Sequence, residues 1–391
     1  MTAAFLVVGA GMTGAVLARR IAESLDVPVE VIDRRPHMGG NCWSETDAPS
    51  GVECHRYGSH IFHTSNRAAW NFASRFTAWN DYRHTVWTTF RQRVYPMPIN
   101  LMTINALYGR NFTPEEARAC IRAEIAKEGI SAPSNLEEKA ISLIGRPLYE
   151  AFIRGYTMKQ WEKDPRELSP EIITRLPVRY TYTLRYFADT WEGIPLDGYA
   201  ALFRRMLDHP RIHLRLGVDW RDIRESVSAA TRVIFTGPMD SFFDWRLGRL
   251  EWRTLDFEID RPDCADAQGC PVMNFADIET RCTRAHEFKH YHPERPDTGK
   301  TVIWREYSRF AGRDDEPYYP VDTAPNRKLL TAYQELARRE CPNVTFAGRL
   351  GAYQYLDMDD AIVEALETFA TITGDMLHSR AANTPGAPRH A

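Results

Sequence analysis

At 391 residues, with 43% hydrophobic and 26% charged residues and a formal net charge of -3, the chain can bury a large core and lacks the basic excess of a nucleic-acid binder. The N-terminus runs almost directly into Phe5-Leu-Val-Val-Gly9 without the basic start and apolar core of a signal peptide, and no run of about 18 apolar residues follows. The expectation is a cytoplasmic protein with no membrane or nucleic-acid partner. Seven scattered cysteines without a Cys-x-x-Cys pair argue against a disulfide framework or a zinc site, so no metal is expected.

Residues 4–34 read as one βαβ unit: an apolar strand, the turn Gly9-Ala-Gly-Met-Thr-Gly14, an amphipathic helix to Ser24 and the strand Val29-Glu-Val-Ile-Asp33. The glycines give G-x-G-x-x-G where a strand meets a helix, so the backbone can approach a pyrophosphate held on the helix N-terminus. Three glycines can also simply make a tight turn. Asp33, 19 residues after Gly14, stands where an acid accepts a hydrogen bond from a ribose hydroxyl. The continuation Arg34-Arg-Pro-His-Met-Gly-Gly-Asn41 resembles the extension of FAD-binding families of the two-dinucleotide type, and no second G-x-G-x-x-G is present, so FAD is favoured over NAD. The stretch Cys54-His-Arg-Tyr-Gly-Ser-His-Ile-Phe-His63 holds three histidines, but no acid or cysteine stands at a regular ligand spacing beside them. A histidine loop against the flavin ring is preferred to a metal site.

Residues 102–165 are helical in pattern, with Thr113 as N-cap, Pro114 at the first helical position and Glu116 closing a capping box; Ser134 with Glu137 offers a second. Glu162–Pro170, with two prolines, cannot be one continuous helix. The stretches Arg179–Phe187, Trp252–Ile259 and Thr301–Tyr307 are rich in β-branched and aromatic residues and predict an antiparallel sheet. Asn343–Gly348 predicts another buried strand, followed by a helix from about Asp359 to Thr371. The predicted fold is α/β. A discontinuous Rossmann-like FAD-binding domain of the two-dinucleotide-binding type takes residues 1–80, 205–240 and 335–378. A mainly helical domain with a flap is inserted at 100–175, an antiparallel sheet domain takes 80–100, 176–204 and 241–334, and 380–391 form a disordered tail.

Several blocks occur in one order: Arg56-Tyr-Gly-Ser-His-Ile-Phe-His-Thr64, Tyr95-Pro-Met-Pro-Ile-Asn100, Gly155-Tyr-Thr-Met-Lys-Gln-Trp161, Arg175-Leu-Pro-Val-Arg179, Thr236-Gly-Pro-Met-Asp240, Glu287-Phe-Lys-His290, Glu316-Pro-Tyr-Tyr-Pro320 and Gly348-Arg-Leu350. Together they resemble the UDP-galactopyranose mutase family of the bacterial type over roughly residues 4–370. The resemblance implies an isomerase that interconverts UDP-galactopyranose and UDP-galactofuranose without net redox. Reduced FAD is the nucleophile there, through N5 at the anomeric carbon, and UDP leaves and returns. A homodimer or larger homo-oligomer, a UDP-sugar substrate and an external reductant for the flavin are implied with it.

By the same resemblance Arg175 and Arg284 correspond to two catalytic diphosphate arginines, a suitable choice because guanidinium forks bind phosphate bidentately and stay charged. Tyr186, Tyr319 and Tyr355 correspond to phenols on the same diphosphate, Trp161 to a tryptophan beside the substrate, Asn274 to a further substrate contact and His84 to a sugar contact. Phe152 and Tyr156, four apart in a helical pattern, share a face suited to a pyrimidine ring, with aromatic core packing as the competing reading. His60 and His63 match histidines near the flavin and are expected to be catalytic. The FAD contacts carried over are Gly9, Gly11, Gly14, Asp33, Arg34, Gly39, Gly40, Asn41, His60, Val218, Arg349, Tyr355, Asp357 and Met358, the last opening a helix whose positive end points at the flavin. The segment after Trp161 is expected to be a flap that closes over substrate and carries Arg175. Three positions depart from the family pattern: Asp33 stands where Glu is common, Cys282 where Tyr is expected and Glu162 where Gly is expected. The sugar is left open between galactose, a dTDP-linked deoxysugar and UDP-arabinose. An FAD-dependent oxidase, which has no need of the arginine and tyrosine set, is the reading from another class.

Overall fold

Four consecutive apolar residues, Phe5–Val8, form a strand buried along its whole length, as parallel sheets covered on both faces require. The computed structural model, which describes residues 4–173 and 176–382, places this strand at the centre of a five-stranded parallel sheet. The order is Val344–Phe346, Arg232–Phe235, Phe5–Val8, Val29–Asp33, Ile212–Leu216. Residues near both ends of the chain therefore lie side by side: Phe5 pairs with Arg232 and Val29, and Phe235 with Phe346. The helix Met12–Leu25 buries Val16, Leu17, Ala18 and Ile21 completely and packs against the helix Met358–Ala382.

A second sheet has seven strands in the order Tyr319–Pro320, Trp252–Asp260, Ile303–Phe310, Arg284–Glu287, Val272–Phe275, Val86–Phe90, Arg93–Met97. It is antiparallel except where Val272–Phe275 runs parallel to Val86–Phe90. Between the last strand of this sheet and residue 161 lie five helices; the first four (Leu101–Tyr108, Pro114–Glu128, Leu136–Ile144, Arg146–Phe152) share a core built on Ile104, Ile121, Ile141 and Leu148, and Arg154–Trp161 follows them.

Four local expectations need correcting. Arg179–Phe187 joins no sheet: its backbone groups find separate partners, Arg179 N donating to Ile99 O and Tyr186 N to His84 O, while Thr181 O accepts from Leu101 N. Strand propensity is realised only beside another strand, and none lies alongside here. The second helix cap sits one residue later than expected, with Asn135 Oδ1 accepting from Glu138 N and the Glu138 carboxylate accepting from the amide and hydroxyl of Ser134. The final helix runs from Met358 to Ala382, past Thr371 and into the segment expected to be a disordered tail; residues 383–391 lie outside the described residues. The helical run holding Phe152 and Tyr156 divides at Ile153 into two helices. The segment after Trp161 forms two short 3-10 turns, Pro165–Glu167 and Pro170–Ile172, as its prolines require.

Candidate active site

The glycine turn leaves no room for side chains. A Cβ on Gly14 would lie 1.9 Å from the carbonyl oxygen of Gly9, and Gly9 has a φ of +109°, a region closed to most other residues. A Cβ on Gly40 would stand 3.1 Å from the Gly11 Cα, so the two bare backbones face one another. They floor a cavity of about 400 Å³. Every expected flavin contact except Tyr355 lines it: Gly9, Gly11, Gly14, Asp33, Arg34, Gly39, Gly40, Asn41, His60, Val218, Arg349, Asp357 and Met358. The helices beginning at Met12 and Met358 both open onto it, presenting free N–H groups and a positive dipole end. Asp33 accepts from Ala10 N at 2.8 Å and Arg35 N at 2.9 Å, which leaves further lone pairs for a ribose hydroxyl.

Arg35, which sequence reasoning passed over, also lines the cavity. Its Nη2 donates to Asn41 Oδ1 at 2.9 Å and to Glu316 at 2.6 Å, while its buried Nη1 has no partner among the described residues. An orphaned cationic donor in the cavity wall suits a ligand bearing phosphate. Arg34 turns its half-exposed guanidinium to the same Glu316 at 2.6 Å. The glycine cradle, helix ends, acid and spare donor together fit FAD.

The substrate side is assembled by strand register. Asn274 pairs with Arg284, and Arg284 with Glu306, so three polar side chains stand in a row on one face of the second sheet. Asn274 Oδ1 is buried and unpartnered, an acceptor free for a ligand. Arg284 Nη2 donates to Tyr156 OH, the guanidinium lies 5.8 Å from that ring's centre, and Nε stands 3.4 Å from Glu306 Oε1. Burial works against the Arg284 charge, yet Glu306 together with Tyr156, Tyr319 and Tyr186 holds its pKa well above the ordinary value. Burial likewise opposes the Glu306 charge, but Arg284 and His286 keep that carboxyl below its usual range. Behind it, Glu306 Oε2 lies 3.1 Å from His286 Nε2, whose Nδ1 lies 2.5 Å from Ser59 Oγ.

Tyr319 and Tyr355 stack with their centres 5.7 Å apart, and Arg349 lies 5.8 Å and 5.1 Å from the two rings. Because Arg349 also lines the flavin cavity, it joins the cofactor region to the tyrosines that surround Arg284. Burial pushes Tyr156 up to about 12 and raises Tyr319, so both are neutral donors at physiological pH. Tyr186 and Tyr355 are exposed. Trp161 ends its helix and is followed by Glu162 in left-handed backbone, φ +53°. Arg175 lies outside the described residues.

Two expected site residues, Phe152 and His63, sit elsewhere. Phe152 is 4% exposed and meets Phe90 and Tyr95 edge-on in the helical core, so the packing reading describes it and the shared-face reading does not. His63 lines no part of the flavin cavity, and its ring stacks on Phe187 at 3.6 Å; His84, expected at the sugar, stacks on Phe187 at 5.7 Å and meets the Tyr186 ring edge-on at 5.5 Å. His63 Nδ1 bonds Asp189 at 2.9 Å and His84 Nδ1 bonds Tyr82 OH at 2.8 Å, while their rings pack against Phe187, the neighbour of Tyr186. His60 does reach the cavity; its Nδ1 lies 2.8 Å from Gly58 O, and burial pulls it down to about 4, which makes it a neutral ring near pH 7. Glu306 and His286 were missed because only the pairing of distant strands brings them to Arg284; the alternation along each strand names a face but not a neighbour.

A family profile for UDP-galactopyranose mutase matches residues 151–355, the span that holds Tyr156, Arg284 and the stacked tyrosines, and a profile for an NAD(P)-binding Rossmann-like domain matches residues 7–76. Over 363 residues the chain is 42% identical to a probable UDP-galactopyranose mutase of Klebsiella pneumoniae, covering 93% of both proteins. The chain belongs to the UDP-galactopyranose mutase family. Members of this family are isomerases and FAD is the cofactor, as the ordered motifs implied. A dTDP-fucopyranose mutase of Escherichia coli is 39% identical over 366 residues, 93% of this chain and 96% of that protein. A crystal structure of reduced UDP-galactopyranose mutase matches with a TM-score of 0.73 over 96% of this chain and 94% of the other; at 16% identity it speaks to the fold alone. No helix among the described residues is long and apolar enough to cross a membrane.

Proposed function

We propose that this member of the mutase family interconverts the pyranose and furanose forms of UDP-galactose, with UDP as the group that leaves and returns. The observation that carries the reading is the environment of Arg284, a cation held charged by Glu306 and ringed by neutral tyrosines, joined through Arg349 to the flavin cavity. Reduced FAD, when bound, supplies a nucleophile for the anomeric carbon. The chain's own residues do the rest. Arg284 takes up negative charge as the diphosphate separates from the sugar and keeps it within reach for return. Tyr319 and Tyr355 add neutral O–H donors, which grip the same oxygens without the repulsion of further cations. Asn274 offers its unpartnered carbonyl oxygen to a ligand hydroxyl. Neutral His60, at the cavity wall, can accept or donate a hydrogen bond without adding positive charge beside the flavin. Arg175 is assigned to the second diphosphate contact on the strength of its motif.

A second substrate is favoured by one observation: the relative named dTDP-fucopyranose mutase is 39% identical, close to the 42% of the probable UDP-galactopyranose mutase. The reading also includes a cytoplasmic homo-oligomer whose flavin is kept reduced by an external donor.

The test is to incubate dithionite-reduced and oxidised protein separately with UDP-galactofuranose and dTDP-fucofuranose and to follow ring form by chromatography. Conversion of UDP-galactofuranose by the reduced protein only is expected. Preferential conversion of the fucose compound moves the assignment to the second substrate, and reduction of oxidised flavin by the sugar, with no ring conversion, makes the protein an oxidase. Arg284→Ala should lower turnover by about 100-fold or more, as loss of a preorganised charge donor does, while FAD absorbance is retained.

A further inference from the structure

We propose that Lys159 is a positioning residue for substrate recognition, locking the hairpin that carries Asn274 and Arg284 at a fixed spacing from the helix that carries Tyr156 and Trp161. This rests on the proposed function, in which Arg284 holds the diphosphate, and adds to it Tyr156 as the contact for the base that its helical position suggested. The Lys159 Nζ lies 2.6 Å from Phe275 O, 2.9 Å from Asp277 O, 2.9 Å from Thr280 O and 3.1 Å from Cys282 O. These four carbonyls run from the last residue of the strand Val272–Phe275 through the turn that leads to Arg284–Glu287, the strands of Asn274 and Arg284. An ammonium has three protons for four acceptors, so at least one is shared. Carbonyl dipoles converging on one point repel one another unless a cation sits among them, so this turn takes its shape from the lysine.

The same helix touches the same turn one helical turn earlier, where a Cβ on Gly155 would lie 2.2 Å from Ala276 O. On its other side Ser308 Oγ donates to Gln160 O at 3.1 Å. Tyr156 lies between the two turn contacts and meets Arg284 directly. Cys282, which departs from the family pattern, contributes its carbonyl to the cage, so the changed side chain leaves this contact intact. A ligand with a base at one end and a diphosphate at the other gains from both contacts only if their spacing is already set. A ligand with one end alone gains nothing from that spacing.

Binding of UDP, uridine and pyrophosphate to the FAD-loaded protein, read by tryptophan fluorescence, tests this directly. In Lys159→Met the dissociation constant for UDP should rise by about tenfold or more, while those for uridine and pyrophosphate each move by less than about twofold, because only the two-ended ligand depends on the spacing. Lys159→Gln, which keeps two donors, should fall between and serves if the methionine variant does not fold. Propylammonium added to Lys159→Ala should restore UDP affinity, whereas tetramethylammonium, which has no N–H, should not. Equal weakening of all three ligands, unchanged UDP binding, or rescue by both ammonium salts overturns the proposal. A wild-type protein that binds none of the three overturns the proposed function itself, and the role of Lys159 with it.

Discussion

Glu306 sets the charge and aim of Arg284, and neither residue's neighbourhood can be read from its own stretch of chain. Its side chain is 5% exposed and its carboxyl is held below the usual value by Arg284 and His286 against the cost of burial. A carboxyl whose folded pKa is depressed contributes stability that is present above the unfolded value, here 4.5, and is lost as pH falls through the folded one. Glu306→Gln should therefore destabilise the protein near pH 7 by about 1–3 kcal/mol, less than the ~3–5 kcal/mol for breaking a fully buried pair because the Arg284 side chain is 32% exposed. It should also remove part of the acid-side loss of stability and weaken UDP binding. Denaturant midpoints at pH 7 and pH 4 check the first two effects and UDP titration the third. Gly9, Gly14 and Asp33 were legible in the sequence because their demands are local: a backbone angle, a missing Cβ, the end of an apolar run. Arg35, Glu306 and Lys159 were not, because their partners lie 281, 20 and more than 100 residues away.

Among the elements, the eight-residue helix Arg154–Trp161 is fixed to the second sheet at several points, and its C-terminal end is unusual. Glu162 adopts left-handed backbone, φ +53°, where glycine would be unstrained. Its carboxylate accepts from Arg253 Nη1 at 2.9 Å and from Phe310 N at 3.1 Å, and the Arg253 side chain is 1% exposed. Two effects oppose each other in Glu162→Gly. Relief of backbone strain is worth about 1 kcal/mol. Leaving a buried guanidinium with only Ser308 as hydrogen-bond partner among the described residues, and the Phe310 ring beneath it, costs about 3–5 kcal/mol, reduced by solvent screening because Glu162 is 48% exposed. The ion pair should win, and the variant should unfold at lower urea with a net loss of about 1–2 kcal/mol; an unchanged or higher midpoint would mean that strain dominates. The glutamate at this position thus has a structural account, as a tether for the start of the 3-10 segment. At this scale the sequence specified helices well, because caps such as Thr113 with Glu116 are short-range. It misjudged Arg179–Phe187, whose composition suits a strand but which has no strand to pair with, and Phe152, whose helical spacing from Tyr156 is interrupted at Ile153.

Across the whole molecule, six histidines, His37, His55, His60, His84, His286 and His292, have pKa values lowered by burial. Below pH 6.5 the unfolded chain binds protons at these positions that the folded chain refuses, so stability rises with pH in this window and is lost as pH falls. Each contributes on the order of 1 kcal/mol per pH unit. His290 acts in the opposite sense, since Glu287 and Asp266 raise it despite its burial, but it is one against six. Thermal unfolding should fall steeply between pH 6.5 and 5, and proton uptake on unfolding at pH 5.5 should be positive by calorimetry in two buffers of different ionisation enthalpy. The sequence by itself determined the dinucleotide fold, the family and thereby the cofactor, since glycine turns, an apolar strand and ordered motifs are written in consecutive residues. Only the tertiary structure decided which side chains meet. A five-stranded sheet drawn from both ends of the chain builds the flavin cavity, and the register of three strands sets Asn274, Arg284 and Glu306 in one row. Spacing along a chain fixes the face on which a side chain stands, whereas the neighbour it finds there depends on long-range pairing that no local pattern encodes.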